Sequence, residues 1–335
     1  MNKIICGNSA DELRRLEDNS VDLIITSPPY LGQREYKTNS INEIGHEPNS
    51  VMYNIALAEV FSECFRVCKP TGNIVFNIGD TYKDQSLQLL PYRFAITILD
   101  HYKHTGLRLI NEITWVKTNP TPRQYKKRLI SSTEPFLHFA KTKNYYYNPD
   151  AYLNEDSNKK KIIPMKKSNS FYQKGGKYIK LIKESDLSNQ EKINAHTAVE
   201  EAILELRRGK ITDFRMKIRG MHKEAFGGQS GGRNSQIRNN GFTVIKMYGN
   251  KLKRDVIENS VANTKNIDHP AIFPLKVIIE LVKLLSKEND IILDPFCGSG
   301  QTCVVAKSLN RKYLGIDLSE KYCKIAEDRL KNPDS

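Results

Sequence analysis

Asp22-Leu23-Ile24-Ile25-Thr26-Ser27-Pro28-Pro29-Tyr30 runs an apolar segment directly into two prolines. The segment has the unbroken apolar character of a parallel strand buried on both faces. Neither proline has an amide hydrogen and each has a fixed φ, so the strand ladder stops there. The result is a stiff loop at a strand's carboxyl end, presenting the Ser27 hydroxyl, backbone carbonyls and the Tyr30 ring. In open α/β sheets ligands bind at that end. A proline pair can also do no more than punctuate a strand. A second stretch, near the other end of the chain, decides between the two.

That stretch is Asp290-Ile291-Ile292-Leu293-Asp294-Pro295-Phe296-Cys297-Gly298-Ser299-Gly300-Gln301-Thr302. An apolar strand leads into a glycine-containing turn, and a helix is predicted from about Thr302. Gly298 and Gly300 permit tight backbone geometry, and a helix N-terminus offers free amide donors. Lys312-Tyr313-Leu314-Gly315-Ile316-Asp317 then reads as a second strand ending in an acid. Its position is that of the carboxylate that grips ribose hydroxyls in nucleotide-binding α/β folds. The full Gly-x-Gly-x-x-Gly spacing is absent, so the signal rests on the whole Asp-Pro-Phe-x-Gly-x-Gly context.

Together these stretches resemble the amino-methylating DNA methyltransferases that use S-adenosylmethionine. In that family Ser-Pro-Pro-Tyr is the catalytic loop and Asp-Pro-Phe-x-Gly-Ser-Gly the cofactor loop. The resemblance implies Ser27, Pro28, Pro29 and Tyr30 as catalytic residues. It implies Asp294, Pro295, Phe296, Gly298, Ser299, Gly300 and Asp317 around the cofactor, with Asn8, Thr26, Phe273 and Pro274 beside them. Gly72–Asp80, Trp115-Val116-Lys117 with Asn119-Pro120, Glu134–Phe139 and His269–Pro274 match further family segments. The resemblance covers most of the chain outside about 150–255. Its order, catalytic loop first and cofactor loop last, is the permuted arrangement called the β class. It implies an α/β, Rossmann-like, mostly parallel twisted sheet of seven strands with an inserted basic target-recognition region. Gly7-Asn8 then ends the third strand, where the family often has Gly-Asp.

Three regions are expected. Residues 1–150 form the catalytic half, 151–265 a DNA-binding target-recognition region, and 266–335 the cofactor half. The formal charge of +14 is concentrated in the middle region, with 24 Lys and Arg against 12 Asp and Glu. The flanks are close to neutral. A basic block between neutral halves points to a polyanion, here double-stranded DNA. Candidate DNA contacts are Arg34 in the loop after the prolines, Lys159, Lys160, Lys161, Lys166, Lys167, Arg215, Arg219, Arg233, Asn234 and Arg238. The glycine-rich loop Gly227–Asn234 is read as flexible and suited to phosphate and base-edge contacts.

Strands are predicted at 3–6, 22–26, 73–78, 108–116 and 135–140, and helices at 10–16, 51–67 and 88–102. Ser188-Asn189-Gln190-Glu191 reads as a capping box opening a helix that Gly209 ends. Ile193, Val199, Ile203 and Leu206 make its apolar stripe. No run is long enough to span a bilayer and no signal peptide is evident. The six scattered cysteines have no metal spacing, and Cys64 and Cys68 read as a core face. No metal and no membrane are expected, and the expected location is cytoplasmic.

An exocyclic amine is a poor nucleophile because its lone pair is delocalised into the base. Acceptors at its hydrogens, such as the Ser27 oxygen and the Pro28 carbonyl, favour a tetrahedral nitrogen. Tyr30 can stack on a base flipped from the duplex. Cytosine-C5 transfer instead needs a cysteine nucleophile presented as Pro-Cys, which the chain lacks. Ser-Ser-Pro-Pro-Tyr-like loops in the resembling family are mostly cytosine-N4 enzymes, so N4 is the first reading and adenine-N6 the alternative. A protein-glutamine or RNA methyltransferase, and an inactive cofactor-binding DNA regulator, are further readings. Such enzymes usually protect DNA from a cognate restriction endonuclease, here a separate partner protein.

Overall fold

Val21–Thr26 forms a strand in which every residue but Asp22 is buried, as an apolar run facing two layers requires. Around it the computed structural model describes residues 1–32, 43–120, 127–152, 168–208, 210–222, 232–247, 254–260 and 274–331. The chain forms two units: Met1–Ala151 with Arg254–Ser335, and an inserted Tyr152–Lys253. The first unit begins with β1 (Lys3–Cys6), α1 (Ser9–Arg14), β2 (Val21–Thr26), α2 (Ser50–Val67) and β3 (Cys68–Asn77). The hairpin β4 (Tyr82–Lys83) and β5 (Ser86–Leu87), α3 (Leu90–His101), β6 (Arg108–Lys117) and β7 (Thr133–Ala140) follow. The inserted unit supplies α4 (Ser168–Glu184), α5 (Asn189–Arg207), β8 (Asp213–Ile218), α6 (Arg233–Asn240) and β9 (Phe242–Met247). The first unit resumes with β10 (Val256–Asn259), α7 (Leu275–Leu285), β11 (Ile291–Asp294), α8 (Gln301–Ser308), β12 (Lys312–Asp317) and α9 (Glu320–Lys331).

The main sheet has the order β1-β12-β11-β2-β3-β7-β6-β10. Its pairs are parallel except where β7 meets β3 and β6. The expected α/β, mostly parallel sheet is therefore present, with eight strands in place of seven. The eighth is β10, which pairs with β6 from Val256↔Thr114 to Asn259↔Lys117. Residues 256–259 therefore belong to the sheet, and the inserted unit ends at Lys253, where a target-recognition region reaching 265 was expected. β1 pairs with β12, Lys3↔Leu314 to Cys6↔Asp317, so the first strand of the chain lies beside the last.

Register gathers the strand ends. Cys6 stands opposite Asp317, Asp294 opposite Gly315, Thr26 opposite Phe76, Asn77 opposite Phe136, and Lys117 opposite Asn259. Every parallel strand thus ends on one edge of the sheet, and β7 starts there. Beneath that edge Phe61 of α2 packs against Phe76, Phe94 and Phe139, with ring centroids 5.1–5.9 Å apart. Aromatic contacts of this geometry add to the burial of the rings themselves.

The inserted unit has its own core. The capping box is formed: Ser188 accepts from the Glu191 amide, and the Glu191 carboxylate accepts from the Ser188 amide. Ala195, Val199, Ala202 and Leu206 of α5 are buried with Phe214, Met216 and Ile218 of β8. Ile193, read as part of the stripe, is 60% exposed, and the small Ala195 and Ala202 take up the face. The helix α4 was not read from the sequence, where lysines dominate the segment. Tyr178 and Ile182, four residues apart, are its buried pair, while Lys177, Lys180 and Lys183 are exposed. Gly209, Arg34, Lys159, Lys160, Lys161, Lys166, Lys167, Phe273 and the stretch 227–231 lie outside the described residues. No helix among those described is long and apolar enough to cross a membrane.

His138 on β7 is 1% exposed, with Nε2 2.9 Å from Asn73 Oδ1. Burial pushes its imidazole down to about 4 from an ordinary 6.5. The unfolded chain therefore takes up a proton near pH 6.5 while the folded one resists until about 4. Stability contributed by neutral His138 is present above that window and lost as pH falls through it. The thermal midpoint is expected to drop between pH 6.5 and 4, by up to about 3 kcal/mol of stability. Thermal melts of His138→Gln over the same range should show a shallower fall.

Candidate active site

The proline pair stops β2 as its chemistry requires, and Ser27 and Tyr30 turn back toward the end of β3. Ser27 Oγ donates to the Tyr30 hydroxyl at 3.1 Å, with Asn77 Oδ1 at 3.4 Å. The Tyr30 hydroxyl lies 2.7 Å from Asn77 Oδ1 and 3.2 Å from Glu134 Oε2. Asn77, 1% exposed, donates through Nδ2 to the Pro135 carbonyl at 3.0 Å. Glu134 is ion-paired with Lys117, each side chain being less than one-fifth exposed. Burial, then the nearby Glu134 charge, pushes the Tyr30 phenol well up, so it stays protonated. The Tyr53 hydroxyl donates to the Pro29 carbonyl at 2.9 Å and fastens the loop to α2.

Asn77, Glu134 and Lys117 stood in stretches matched to the family, yet sequence alone assigned them no role. The available signal was their polarity: Asn77 interrupts an apolar strand, and Glu134 and Lys117 sit at strand ends. What joins them is the antiparallel placement of β7, which periodicity does not reveal. Gly79 was missed too. A Cβ there would lie 2.3 Å from Tyr30 Cε2, so the ring rests directly on this backbone.

The second cluster lies along the same edge. Asp317, ending β12, accepts from the Gly298 amide at 2.8 Å and the Ser319 amide at 2.9 Å. Gly298 and Gly300 both have positive φ, +50° and +78°, as the turn into α8 demands. At Gly300 a Cβ would also meet Ala326 Cβ at 2.7 Å. No side chain caps α8, so no side chain offsets the dipole at its N-terminus. These residues fit a nucleoside-type cofactor: an acid at one strand end, and a glycine turn with an uncapped helix at the next.

Several residues assigned here turn inward. Thr26 is fully buried and donates to Asp294 Oδ1 at 2.7 Å, and the Phe296 amide donates to the same oxygen at 3.1 Å. Burial pushes the Asp294 carboxyl up to about 6 against the pull of Thr26, Thr302 and the Phe296 amide. Arg329 of α9 donates to the Ser299 carbonyl and hydroxyl and to Gln301 Oε1. Asn8 is the N-cap of α1, accepting from the Ala10 and Asp11 amides. Capping explains Asn in a Gly-Asp position, since either side chain caps a helix. Pro274 occupies the N-cap of α7.

In the inserted unit, Arg219 donates to Glu191 Oε2 at 2.9 Å and to the Arg238 carbonyl at 3.2 Å. It therefore braces the capping box, a contact within the unit's fold. Arg215, Arg233 and Arg238 are exposed. Arg233 and Asn234 open α6, where a flexible loop was expected. Among the described residues no group of His, Cys, Asp and Glu could hold a metal ion. Cys64 and Cys68 are both fully buried in the core.

A glycine turn and an acid stand beside a Ser-Pro-Pro-Tyr loop on one edge of a mostly parallel sheet, an arrangement that fits an α/β domain built for a nucleoside cofactor. A family model described as DNA methylase matches residues 21–328, and the chain belongs to that family, whose methyl donor is S-adenosylmethionine. The type II methyltransferase M.BglII of Bacillus subtilis is 27% identical over 327 residues, 97% of this chain and 68% of that protein. Among solved structures, PvuII DNA methyltransferase (cytosine-N4-specific) superposes with a TM-score of 0.61 at 15% identity, covering 100% of this chain and 88% of that one. A DNA modification methylase of Thermus thermophilus, complexed with S-adenosyl-L-methionine, gives 0.53 at 18% identity, covering 98% and 95%. At these identities the structural likenesses speak for the fold.

Gly79→Ala should push the Tyr30 ring off its seat. Methyl incorporation into DNA is expected to fall at least tenfold, on the order of one lost hydrogen bond to a charged group. Circular dichroism should show an unchanged fold. Wild-type incorporation would show that the ring has another place to go.

Proposed function

We propose that this DNA methyltransferase transfers a methyl group to the exocyclic N4 of cytosine in duplex DNA, as the modification partner of a separate restriction endonuclease. The observation that carries the reading is Ser27. Its hydroxyl stands at the end of β2 and is anchored inward on Tyr30, on the sheet edge that also carries Asp317 and the glycine turn. Bound S-adenosylmethionine supplies an electrophilic methyl group. Asp317 would hold the ribose hydroxyls, and the 295–300 turn would face the remainder of the cofactor. Ser27 Oγ and the Pro28 carbonyl accept from the target amine and favour a tetrahedral nitrogen. The Tyr30 ring offers a face to the extruded base. Positioning of this kind carries much of the rate in a direct transfer.

Serine at the head of the loop supports N4 over N6, by the resemblance to the family's Ser-Pro-Pro-Tyr enzymes. Adenine presents a similar amine to the same acceptors, and N6 transfer is the second reading. The inserted unit is assigned to DNA on its charge, with Arg215, Arg233 and Arg238 as exposed contacts.

Mixed duplex DNA methylated by the enzyme, digested to nucleosides and weighed should yield N4-methylcytosine. N6-methyladenine would transfer the reading to adenine, and a methyl on ring carbon would end it. Ser27→Ala should lower the single-turnover rate by about a hundredfold or more while cofactor and DNA affinities stay near wild type. Removing Arg215, Arg233 and Arg238 together should weaken DNA binding for all sequences. It should also flatten the salt dependence by roughly one unit of slope for each phosphate that is no longer neutralised. An unaltered slope in filter-binding titrations would place the DNA elsewhere.

A further inference from the structure

Resting on that reading, we infer that Asn77 and Glu134 are positioning residues that set the direction of the hydrogen-bond chain from Ser27, making its oxygen an acceptor toward the substrate amine. A serine hydroxyl by itself is ambivalent: it can donate one proton or accept at its lone pairs. Facing an amine that must donate, a hydroxyl pointing its own proton outward would be a repulsive partner.

The chain leaves little choice of direction. Asn77 Nδ2 is committed to the Pro135 carbonyl at 3.0 Å, so the amide cannot flip and Oδ1 must face the hydroxyls. Oδ1 can only accept. Glu134, ion-paired with Lys117, likewise presents a carboxylate oxygen to the phenol, and a carboxylate oxygen accepts. The Tyr30 hydroxyl therefore meets two acceptors, at 2.7 and 3.2 Å, with one proton to offer, and that proton points into the protein. The phenol oxygen is left as an acceptor, 3.1 Å from Ser27 Oγ. Ser27 gives its proton to Tyr30, and its lone pairs are turned to the open side of the loop. Burial keeps the phenol protonated, so the chain holds this polarity. Polarity is thus passed from an ion pair at the ends of β6 and β7 to a hydroxyl at the end of β2.

Lys117 fits the same role, since it is the cation paired with the Glu134 carboxylate. Asn77 acts through Tyr30 and Ser27 and needs no contact with substrate. The Ser27–Asn77 distance of 3.4 Å leaves Tyr30 as the better receiver of the serine proton.

A double-mutant cycle separates this role from simple support. Tyr30→Phe keeps the ring on Gly79 and removes only the oxygen. Glu134→Gln keeps the shape and removes the charge. Each alone should slow single-turnover methyl transfer roughly tenfold or more, with S-adenosylmethionine affinity by calorimetry within twofold of wild type. Combined, they should be no slower than Tyr30→Phe alone, because Glu134 acts only through that hydroxyl. Multiplied losses in the double variant would overturn the inference and leave Glu134 a general support. Should Glu134→Gln leave Lys117 uncompensated and the protein unfolded, Lys117→Gln with Glu134→Gln removes both charges and enters the same cycle, with the same two outcomes. If Ser27→Ala is itself silent, the proposed chemistry fails. If Ser27→Ala is slow and the cycle multiplies, only the polarity role fails.

Discussion

Thr26 donates to Asp294 at 2.7 Å across 268 residues of sequence, joining the ends of β2 and β11. Both partners are buried, and the acid also takes the Phe296 amide, so one carboxylate ties the end of β2 to the 294–300 turn. A buried charge of this kind is costly unless its lone pairs are filled. Here one oxygen, Oδ1, takes a donor from each of the two loops. The elevated titration of Asp294 records that cost, and the hydrogen bonds restrain it. Because the two loops come from opposite ends of the chain, their separation along the edge depends on this contact and on the β11–β2 pairing, Ile292↔Leu23 and Leu293↔Ile24.

The edge then divides its chemistry. On the β12–β11 side the groups are backbone amides and acids: Asp317 with Gly298 and Ser319, and the uncapped start of α8. On the β2–β3–β7 side they are hydroxyls, an amide and an ion pair: Ser27, Tyr30, Asn77, Glu134 and Lys117. The first set offers amide donors and carboxylate acceptors, the second hydroxyls and an ion pair, and the proposed function rests on that division. Antiparallel β7 is what delivers Glu134 to the catalytic side, since it starts where its parallel neighbours end.

The inserted unit carries most of the net charge and little of the architecture of the sheet. Its residues arrange as an amphipathic pair of helices over a two-stranded ribbon, with Lys177, Lys180 and Lys183 of α4 exposed. Some of its basic residues pair inside the unit: Arg219 with the Glu191 carboxylate of the capping box, and Lys246 with Glu205. Charge count therefore indicated a polyanion partner, while the role of any single arginine depended on its neighbours.

Local chemistry determined much of this protein from sequence. Two prolines end a strand wherever they fall, a glycine turn before a helix needs positive φ, and Ser188 with Glu191 caps a helix through contacts three residues apart. The α/β class, the Ser27–Tyr30 loop, the 294–300 turn and Asp317 were legible for that reason. Tertiary structure decided what depends on which strand lies beside which. It placed β10 in the sheet, turned Thr26, Asp294 and Ser299 inward, and set Tyr30 on Gly79 and Asn77. It also brought Glu134 and Lys117 to the catalytic loop. Those pairings lie up to 268 residues apart in sequence. They follow from side-chain packing and register across the sheet, on which periodicity within a single segment is silent.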